Sequence, residues 1–360
     1  MSQFFSEKWS GLEPYVPGEQ PRDTTYVKLN TNESPWAPTP EISEDALGRM
    51  RALNLYPDPT YTELREALAG VLAARSGVAI APENITVSNG SDEVLSWAFA
   101  AWCDEDCPAV FADITYGFYP VFAEQQRVPY VEVPLTDAFD IKVADYCTPG
   151  RKTIFIANPN APTGMALPLS AIREILDANP GNVVVVDEAY VDFGGESAVC
   201  LVPEYPNLLV TQTFSKSRSF AGGRLGFGVA QASLMADLET LRNSINPYNV
   251  GNATVAWGLA ILAHEDITVG RCAAIVTERD RLAEALRERG FEVLPSSTNF
   301  VFARHATVSG EAIYRECKAK GVLVRHFTKP RIADFNRITV GTFEQTDALM
   351  KALDEILEEV

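Results

Sequence analysis

The chain has 360 residues, which is long enough for one large domain and a smaller one. Hydrophobic residues make up 46% and charged residues 22%, a composition typical of a soluble globular protein. Its formal net charge of -18 argues against a nucleic-acid partner, because phosphate backbones are bound by Lys- and Arg-rich surfaces. No apolar stretch is long enough to span a bilayer, which argues against a membrane protein. An anionic small molecule would therefore need a local cationic site.

The N-terminal sequence MSQFFSEKWSGLEPY lacks the apolar run of a signal peptide. The six cysteines contain no C-x-x-C pair, and three histidines are too few for a His-rich metal cluster. We therefore expect a cytoplasmic protein whose cysteines are reduced and which carries no structural metal. Six prolines between positions 14 and 40 predict that residues 1–40 form an extended arm, which joins the small domain, rather than a domain of their own.

Residues 41–265 alternate short apolar runs with helical patterns. Several runs are rich in Val and Ile and have no alternating polar face, which is typical of strands covered on both sides. This alternation predicts a large α/β domain built on a mostly parallel sheet. The predicted strands are 85–87, 109–111, 153–156, 183–186, 208–210 and 225–229, and the predicted helices include 91–102, 117–124 and 169–178.

Residues 266–360 have a different pattern, which predicts a smaller α/β domain. A long amphipathic helix over 266–289 ends at Gly290, a residue type that commonly follows a helix. The predicted strands after it are 291–294, 299–304, 322–325 and 337–340, and the predicted helices are 309–320 and 344–357.

Five motifs follow predicted strands, where α/β proteins commonly bind ligands. The first is Ser88-Asn-Gly-Ser-Asp-Glu93, in which backbone amides at a helix start can bind an anion and Gly90 permits a tight turn. An ordinary N-cap has the same pattern. If a phosphate binds here, we expect the Asp92 side chain to point away, so that only its amide contacts the anion.

The second and third motifs are less specific. Tyr116, in Thr-Tyr-Gly-Phe-Tyr, is compatible with an aromatic platform for a flat ring, although an aromatic at a strand end is more often part of the core. Asn158-Pro-Asn160-Ala-Pro-Thr-Gly164 is rich in residues that simply turn the chain. Neither motif defines a site by itself.

The fourth motif, Val183-Val-Val-Val-Asp187-Glu-Ala-Tyr190, places a carboxylate at the end of a central strand. A carboxylate there can pair with a pyridinium nitrogen and keep it protonated, and Tyr190 can donate a hydrogen bond to a phenolic oxygen on such a ring. An Asp that only caps the following loop fits the same pattern.

The fifth motif is Thr213-Phe-Ser-Lys216-Ser-Arg-Ser-Phe-Ala-Gly-Gly-Arg224. A lysine just past a buried strand can form a Schiff base if its amine is partly desolvated. Thr213, Ser215 and Arg224 can hold a phosphate near that amine, because an Arg fork matches phosphate geometry. A surface lysine ahead of a Gly-rich turn is the other interpretation.

In this order and spacing, NGSDE, TYGFY, NPNAPTG, VVDEAY and TFSKSRSFAGGRLGF resemble the fold-type-I aminotransferases that use pyridoxal 5'-phosphate (PLP). KLNTNESP, NLYPDP and RITVGT further resemble the histidinol-phosphate aminotransferase family. The resemblance spans nearly the whole chain. It implies the PLP-dependent transferase (aspartate aminotransferase-like) fold, with a mostly parallel central sheet flanked by helices and a smaller α/β C-terminal domain.

The resemblance implies a role for each motif residue. Lys216 matches the lysine that forms the Schiff base and moves the proton, Asp187 the partner of the pyridinium nitrogen, and Tyr190 the donor to the phenolic oxygen. Tyr116 matches the aromatic residue that stacks on the ring. The residues that match the phosphate site are Ser91, Asp92, Thr213, Ser215 and Arg224.

Further matches concern the substrate and the assembly. Tyr56, in NLYPDP, matches the residue that reaches cofactor and substrate in the neighbouring subunit, which implies a homodimer with shared active sites. Arg337, Arg325 and Tyr15 match positions that hold the anionic group of the substrate. One departure is that Ala161 stands where most relatives have an Asn that contacts the cofactor, and we expect Asn160 to replace it.

The activity implied is amino transfer from histidinol phosphate to 2-oxoglutarate in histidine biosynthesis, with ping-pong kinetics. Two arginines suit a dianionic phosphate, but an aromatic amino-acid aminotransferase or a decarboxylase of a phosphorylated amino acid such as threonine phosphate would share the same cofactor motifs. A non-enzymatic PLP-fold sensor is the remaining alternative. The presence of both Lys216 and Asp187 argues against it.

Overall fold

The computed structural model describes residue 2 and residues 4–9, 11–50 and 53–358, so positions 1, 3 and 10 of the predicted arm, 51 and 52 of the predicted large domain and the last two positions of the predicted small domain lie outside the described residues. No helix within these ranges has the length and apolar character needed to cross a membrane. Among the described residues the α-helices are α1 (Pro40–Arg49), α2 (Thr62–Ser76), α3 (Ser91–Trp102), α4 (Tyr119–Gln126), α5 (Leu169–Ala178), α6 (Ala232–Ile245), α7 (Asn252–Ala263), α8 (Glu265–Glu288), α9 (Gly310–Ala319) and α10 (Phe343–Glu358).

The strands form three sheets. In chain order they are β1 (Val27–Lys28), β2 (Ile85–Ser88), β3 (Ala109–Ala112), β4 (Tyr130–Val133), β5 (Thr153–Ala157), β6 (Val184–Asp187), β7 (Leu208–Thr213), β8 (Gly226–Ala230), β9 (Phe291–Val293), β10 (Phe300–His305), β11 (Val322–Leu323), β12 (Arg325–His326) and β13 (Asn336–Thr339).

The largest sheet has seven strands in the order β2-β8-β7-β6-β5-β3-β4. Neighbouring strands from β7 to β4 run parallel, and only β8 is antiparallel to both of its neighbours. Strand β6 is buried along its whole length because alternate side chains enter separate apolar clusters on the two faces, Val184 and Val186 on one and Val185 on the other. The predicted mostly parallel central sheet, flanked by helices, is confirmed.

The C-terminal part contains a four-stranded antiparallel sheet in the order β12-β13-β10-β9. Helices α8 and α10 contribute Leu282, Leu286, Leu349 and Leu353 to the apolar cluster that also contains the buried residues of this sheet. The single predicted strand 322–325 is in fact two. Strand β11 pairs in parallel with β1 from the N-terminal arm, whereas β12 pairs with β13.

The edge strand β4 was not predicted. Three of its four residues are exposed, so it lacks the apolar run that marks the buried strands. The division of the chain into an arm (1–40), a large domain (41–265) and a small domain (266–360) stays a prediction.

Candidate active site

A cavity of about 340 Å³ opens where the parallel strands β5, β6 and β7 end. Their last residues, Ala157, Asp187 and Thr213, all line it, because the carboxyl ends of parallel strands meet at one edge of a sheet. Of the predicted site residues, those at the wall of the cavity are Ser91, Asp92, Tyr116, Asp187, Tyr190, Thr213, Ser215, Lys216 and Arg224. The structure thus brings all five sequence motifs together at one place, the third of them through Pro159 and Ala161 instead of the predicted Asn160.

Asp187 is a buried carboxylate at the cavity wall, only 5% exposed. Tyr119 donates its hydroxyl to Oδ2 over 3.0 Å, and Thr211 donates to Oδ1 over 3.1 Å. Burial raises the pKa of Asp187 to about 6, although both hydrogen bonds act to lower it. The carboxylate has neutral hydrogen-bond donors but no described cationic side chain in ion-pair contact, so a cationic ligand group would find a ready partner here.

Lys216 lies just beyond β7, half-buried, with its ammonium group at the cavity. Its Nζ donates to the carbonyl oxygen of Thr31 over 3.3 Å and lies 5.8 Å from the ring centre of Tyr190. Tyr190 is itself buried, and its hydroxyl accepts a hydrogen bond of 2.9 Å from Nδ2 of Asn32. An amine and a phenol from different strand ends thus face the same space.

The N-terminus of α3 forms a second wall of the cavity. Gly90 precedes the helix with φ of +83° and has no side chain to cap it, so the amides of Ser91 and Asp92 are available to bind an anion, whereas that of Glu93 donates to the Gly90 carbonyl. A Cβ at Gly90 would lie 2.6 Å from Nη2 of Arg224, which shows how closely the guanidinium approaches this turn. Nη1 of Arg224 donates to Ser215 Oγ over 3.4 Å.

Tyr116 and Asp92 are joined directly. The Tyr116 hydroxyl donates to Oδ1 of Asp92 over 2.7 Å, and Oδ2 of Asp92 lies 3.6 Å from Nη2 of Arg224. Burial, together with the charge of Asp92, raises the pKa of Tyr116 well above its usual value. The Asp92 carboxylate therefore holds the Tyr116 ring and neutralises part of the Arg224 charge, and the expectation that it points away from a bound phosphate stays a prediction.

The three residues predicted to hold the anionic group of the substrate lie outside this wall, at the small sheet and the arm. Arg337, on β13, donates from Nη2 to the carbonyl oxygen of Asn30, while its buried Nε has no partner among the described residues. Burial lowers the pKa of Arg337. Arg325 donates to the backbone carbonyls of residues 16 and 17, and Tyr15 stacks on Phe118 with ring centres 4.3 Å apart.

Tyr56 does not reach the cavity within this chain. It is 79% exposed, stacks on Tyr248 with ring centres 4.4 Å apart, and lines a separate cleft with Asn252 and Leu259. Exposed Leu53 and Leu55 precede it. The loop therefore presents an apolar surface to its surroundings.

The expectation for Asn160 is not met. Its Oδ1 accepts from Thr115 over 2.7 Å, and its Nδ2 donates to the Ile114 carbonyl over 3.0 Å and to Thr163 Oγ1 over 2.9 Å. These bonds turn the amide toward the chain after β3, and Ala161 lines the cavity in its place. The structure does not bring the Asn160 amide to the site, because its hydrogen-bonding capacity is used within the protein.

Sequence reasoning missed three residues that belong to the site. Tyr119 holds Asp187, Asn32 holds Tyr190, and Glu33 lines the cavity beside Lys216. All three stand inside quoted motifs, Tyr119 in TYGFY and Asn32 and Glu33 in KLNTNESP, which is the one signal that could have identified them. The partners of Tyr119 and Asn32 are 68 and 158 residues away, so spacing along the chain could not have identified these two contacts.

Comparison with known proteins agrees with this geometry. The chain belongs to the class I and II aminotransferases, since the family model described as "Aminotransferase class I and II" matches residues 24–353. Within that class it belongs to the histidinol-phosphate aminotransferase family. It is 49% identical over 362 residues to histidinol-phosphate aminotransferase 2 of Rhizobium meliloti (strain 1021), covering 99% of this chain and 100% of the relative.

Solved structures show the same fold. A histidinol-phosphate aminotransferase from Sinorhizobium meliloti, in complex with pyridoxal-5'-phosphate, superposes with a TM-score of 0.82 at 23% identity, over 93% of this chain and 92% of the other. A Thermus thermophilus aspartate aminotransferase mutant superposes with a TM-score of 0.81 at 19% identity, over 100% of both chains. The predicted aspartate aminotransferase-like fold is thereby confirmed.

Proposed function

We propose that this protein is a PLP-dependent aminotransferase that moves the amino group of histidinol phosphate to 2-oxoglutarate, giving imidazole acetol phosphate and glutamate, a step of histidine biosynthesis. The observation that carries the proposal is one cavity in which the amine of Lys216 and the buried, cation-free carboxylate of Asp187 both lie at the wall. Membership of the histidinol-phosphate aminotransferase family supports the choice of substrate.

The residues present fit PLP. Asp187 is a buried carboxylate whose pKa is raised by burial, and a protonated pyridine nitrogen supplies the positive charge that it lacks. Lys216 would hold the cofactor as a Schiff base, Tyr190 would donate to its phenolic oxygen, and Tyr116 would offer an aromatic face to the ring. The phosphate would be held by the Arg224 guanidinium and the free amides at the start of α3.

When bound, PLP supplies a conjugated ring that takes up the negative charge left when a proton leaves the substrate carbon. The protein's part is to direct protons and charge. Lys216 Nζ, which donates a long hydrogen bond to the Thr31 carbonyl, would serve as the base that takes the proton from the substrate and as the acid that gives it back. Asp187, whose orientation is fixed by hydrogen bonds from Tyr119 and Thr211, would place its negative charge beside the ring nitrogen.

The arginines of the small sheet would bind the phosphate of histidinol phosphate. Arg337 has a buried Nε without a protein partner in the described part of the chain, and an unpaired buried guanidinium nitrogen is costly unless a ligand satisfies it. Arg325 donates to the arm carbonyls that directly follow Tyr15. Tyr15 stacks on Phe118, and the Phe118 ring also contacts that of Tyr116. These contacts connect Arg325 and Tyr15 to the part of the cavity wall that contains Tyr116. The carboxylate of glutamate would use the same arginines in the second half of a ping-pong cycle.

We also propose that the protein is a homodimer in which the exposed Tyr56 completes the partner's site. Mixing Tyr56→Ala with Lys216→Ala subunits tests this, because each hybrid dimer then contains one intact site. Random reassociation should restore about a quarter of the wild-type activity. Two inactive variants that stay inactive on mixing, while gel filtration shows hybrids, would exclude shared sites. A cytoplasmic location stays a prediction, and the six cysteines are all free thiols.

The cofactor is tested by borohydride reduction followed by peptide mass mapping. We expect a covalent pyridoxyl group on Lys216 in the wild type and none in Lys216→Ala, and wild-type protein that takes up no PLP would refute the proposal. The substrate is tested by comparing kcat/KM for histidinol phosphate, phenylalanine and threonine phosphate, each with 2-oxoglutarate. A preference for phenylalanine, or release of carbon dioxide from threonine phosphate, would overturn the substrate assignment and leave the cofactor assignment intact.

A further inference from the structure

Asn32 connects the arm to both parts of the active site. It is 1% exposed and takes the left-handed conformation, with φ of +57°, which Asn tolerates better than most residues. Its backbone N–H donates to Thr339 Oγ1 over 3.0 Å, Thr339 Oγ1 lies 2.9 Å from Asn32 Oδ1, and Asn32 Nδ2 lies 2.9 Å from the Tyr190 hydroxyl. Thr339 is the last residue of the strand that carries Arg337.

The directions of these hydrogen bonds follow from their first member. A backbone N–H can only donate, so Thr339 Oγ1 accepts from Asn32 and must place its own hydrogen elsewhere. Thr339 is buried, and among the described residues Oδ1 of Asn32 is the one acceptor within hydrogen-bond distance of its hydroxyl, so the amide oxygen faces Thr339 and the amide hydrogens are on the other side. Nδ2 then donates to the Tyr190 hydroxyl oxygen. The tyrosine accepts that bond, and its own hydrogen is left to point at another group.

We propose that Thr339 and Asn32 are positioning residues that aim the Tyr190 hydroxyl hydrogen into the cavity, so that Tyr190 is a dedicated donor to the phenolic oxygen of the cofactor. This rests on the proposed function, because the acceptor belongs to PLP. Neither residue lines the cavity, so each acts through Tyr190. The hydrogen bonds from Thr339 through Asn32 to Tyr190, called the relay below, also connect Tyr190 to the strand of Arg337. Arg337 in turn donates to the carbonyl of Asn30, two residues before Asn32.

The test substitutes one atom of the relay at constant charge. Thr339→Val removes the hydroxyl and keeps the side-chain shape, and Thr339→Ser keeps the hydroxyl as the matched control. Without Thr339 Oγ1 the Asn32 amide is free to turn its oxygen toward Tyr190, whose hydrogen would then be drawn away from the cavity. Each variant is also made in a Tyr190→Phe background, where the hydroxyl that accepts the Asn32 hydrogen bond is absent.

Two properties of the PLP-loaded protein are measured, the dissociation constant for PLP and the pH at which half of the bound cofactor changes its absorption spectrum. Loss of one hydrogen bond to the phenolic oxygen should raise the dissociation constant about five-fold in Thr339→Val. It should also raise the pH midpoint by about 0.7 unit, because the anionic oxygen loses a donor. Thr339→Ser should match the wild type, and Thr339→Val should change nothing further in the Tyr190→Phe background.

The relay is refuted if Thr339→Val leaves both properties unchanged or shifts them equally with and without the Tyr190 hydroxyl. Urea unfolding of the cofactor-free proteins tests the same coupling without PLP. The midpoint shift of the double variant should be smaller than the sum of the single shifts, and additive shifts would contradict the relay. If Thr339→Val does not fold, Asn32→Asp replaces it in the same comparisons, because its carboxylate can only accept from Tyr190. A wild type that binds no PLP would defeat the proposed function, whereas the unfolding measurements would still decide on the relay.

Discussion

Replacing Asp187 with asparagine should stabilise the cofactor-free protein at neutral pH while removing its ability to use PLP. Burial raises the pKa of this carboxyl group from 3.8 to about 6, which means that the folded state binds its proton more tightly than the unfolded state. A carboxyl group of this kind contributes most to stability below pH 3.8, and the contribution is lost as the pH rises to about 6. Above that pH the folded, cofactor-free protein carries an unfavourable buried charge.

The size of the effect follows from the two pKa values. They differ by roughly 2 units, and each unit corresponds to about 1.4 kcal/mol. At pH 8 the ionised Asp187 therefore destabilises the cofactor-free protein by about 3 kcal/mol relative to a neutral group. At pH 5.5, where part of the carboxyl is protonated in the folded state, the linkage relation reduces this to about 2 kcal/mol. Asn keeps the shape of the side chain, and its amide can accept a hydrogen bond from one of the Tyr119 and Thr211 hydroxyls and donate to the oxygen of the other.

The assay is urea unfolding of protein stripped of PLP, at several pH values from 5.5 to 8. Glu188, whose pKa burial raises to about 7, changes the stability of both proteins equally, so their difference isolates Asp187. Asp192→Asn is the matched control. Burial opposes ionisation of Asp192, yet contacts with Arg218 and Arg75 hold its pKa below the usual value, so the same substitution should destabilise. An Asp187→Asn protein that is no more stable than the wild type at pH 8 would refute the reasoning.

Two further substitutions test the anion sites. Gly226→Ala would drive a Cβ into the backbone nitrogen of Ser91 and displace the start of α3, so the PLP dissociation constant should rise at least about ten-fold. Gly70→Ala, where a Cβ meets nothing within 4 Å, should leave it unchanged, and equal affinities in a PLP titration of all three proteins would contradict the anion site. Arg337→Met should reduce the kcat/KM preference for histidinol phosphate over unphosphorylated histidinol by about ten- to a hundred-fold, the value of a charged hydrogen bond. An unchanged preference would show that Arg337 does not hold the phosphate.

The central sheet could be predicted because its strands are buried on both faces and therefore carry uninterrupted apolar runs. Val184–Asp187 is the clearest case, since three valines lead directly to the carboxylate at the cavity. The edge strand Tyr130–Val133 has three exposed residues, and its strand conformation comes from pairing with β3, not from a local pattern. The strand at 322–325 was predicted, but not its division, because Val322–Leu323 pairs with an arm strand roughly three hundred positions earlier in the chain while Arg325–His326 pairs with β13.

For the site, the motifs predicted which residues meet but not how their side chains are oriented. Asn160 lies in the predicted turn, yet its amide faces Thr115, because hydrogen-bond partners supplied by another turn decide the direction. Asn32 could not be predicted as the partner of Tyr190, since neither periodicity nor spacing relates positions 158 residues apart. Local sequence thus specifies the strand ends, and tertiary contacts specify the hydrogen-bond directions.

Among the described residues, the arm strand Val27–Lys28 pairs with Val322–Leu323, and both the backbone N–H and Oδ1 of Asn32 bond to Thr339. During synthesis the arm leaves the ribosome before both of its partners, which follow roughly three hundred residues later. A nascent chain can therefore assemble the seven-stranded sheet and present Lys216 well before the wall that contains the arm can close. The order of translation thus places closure of the active site after formation of the central sheet in the folding of the chain.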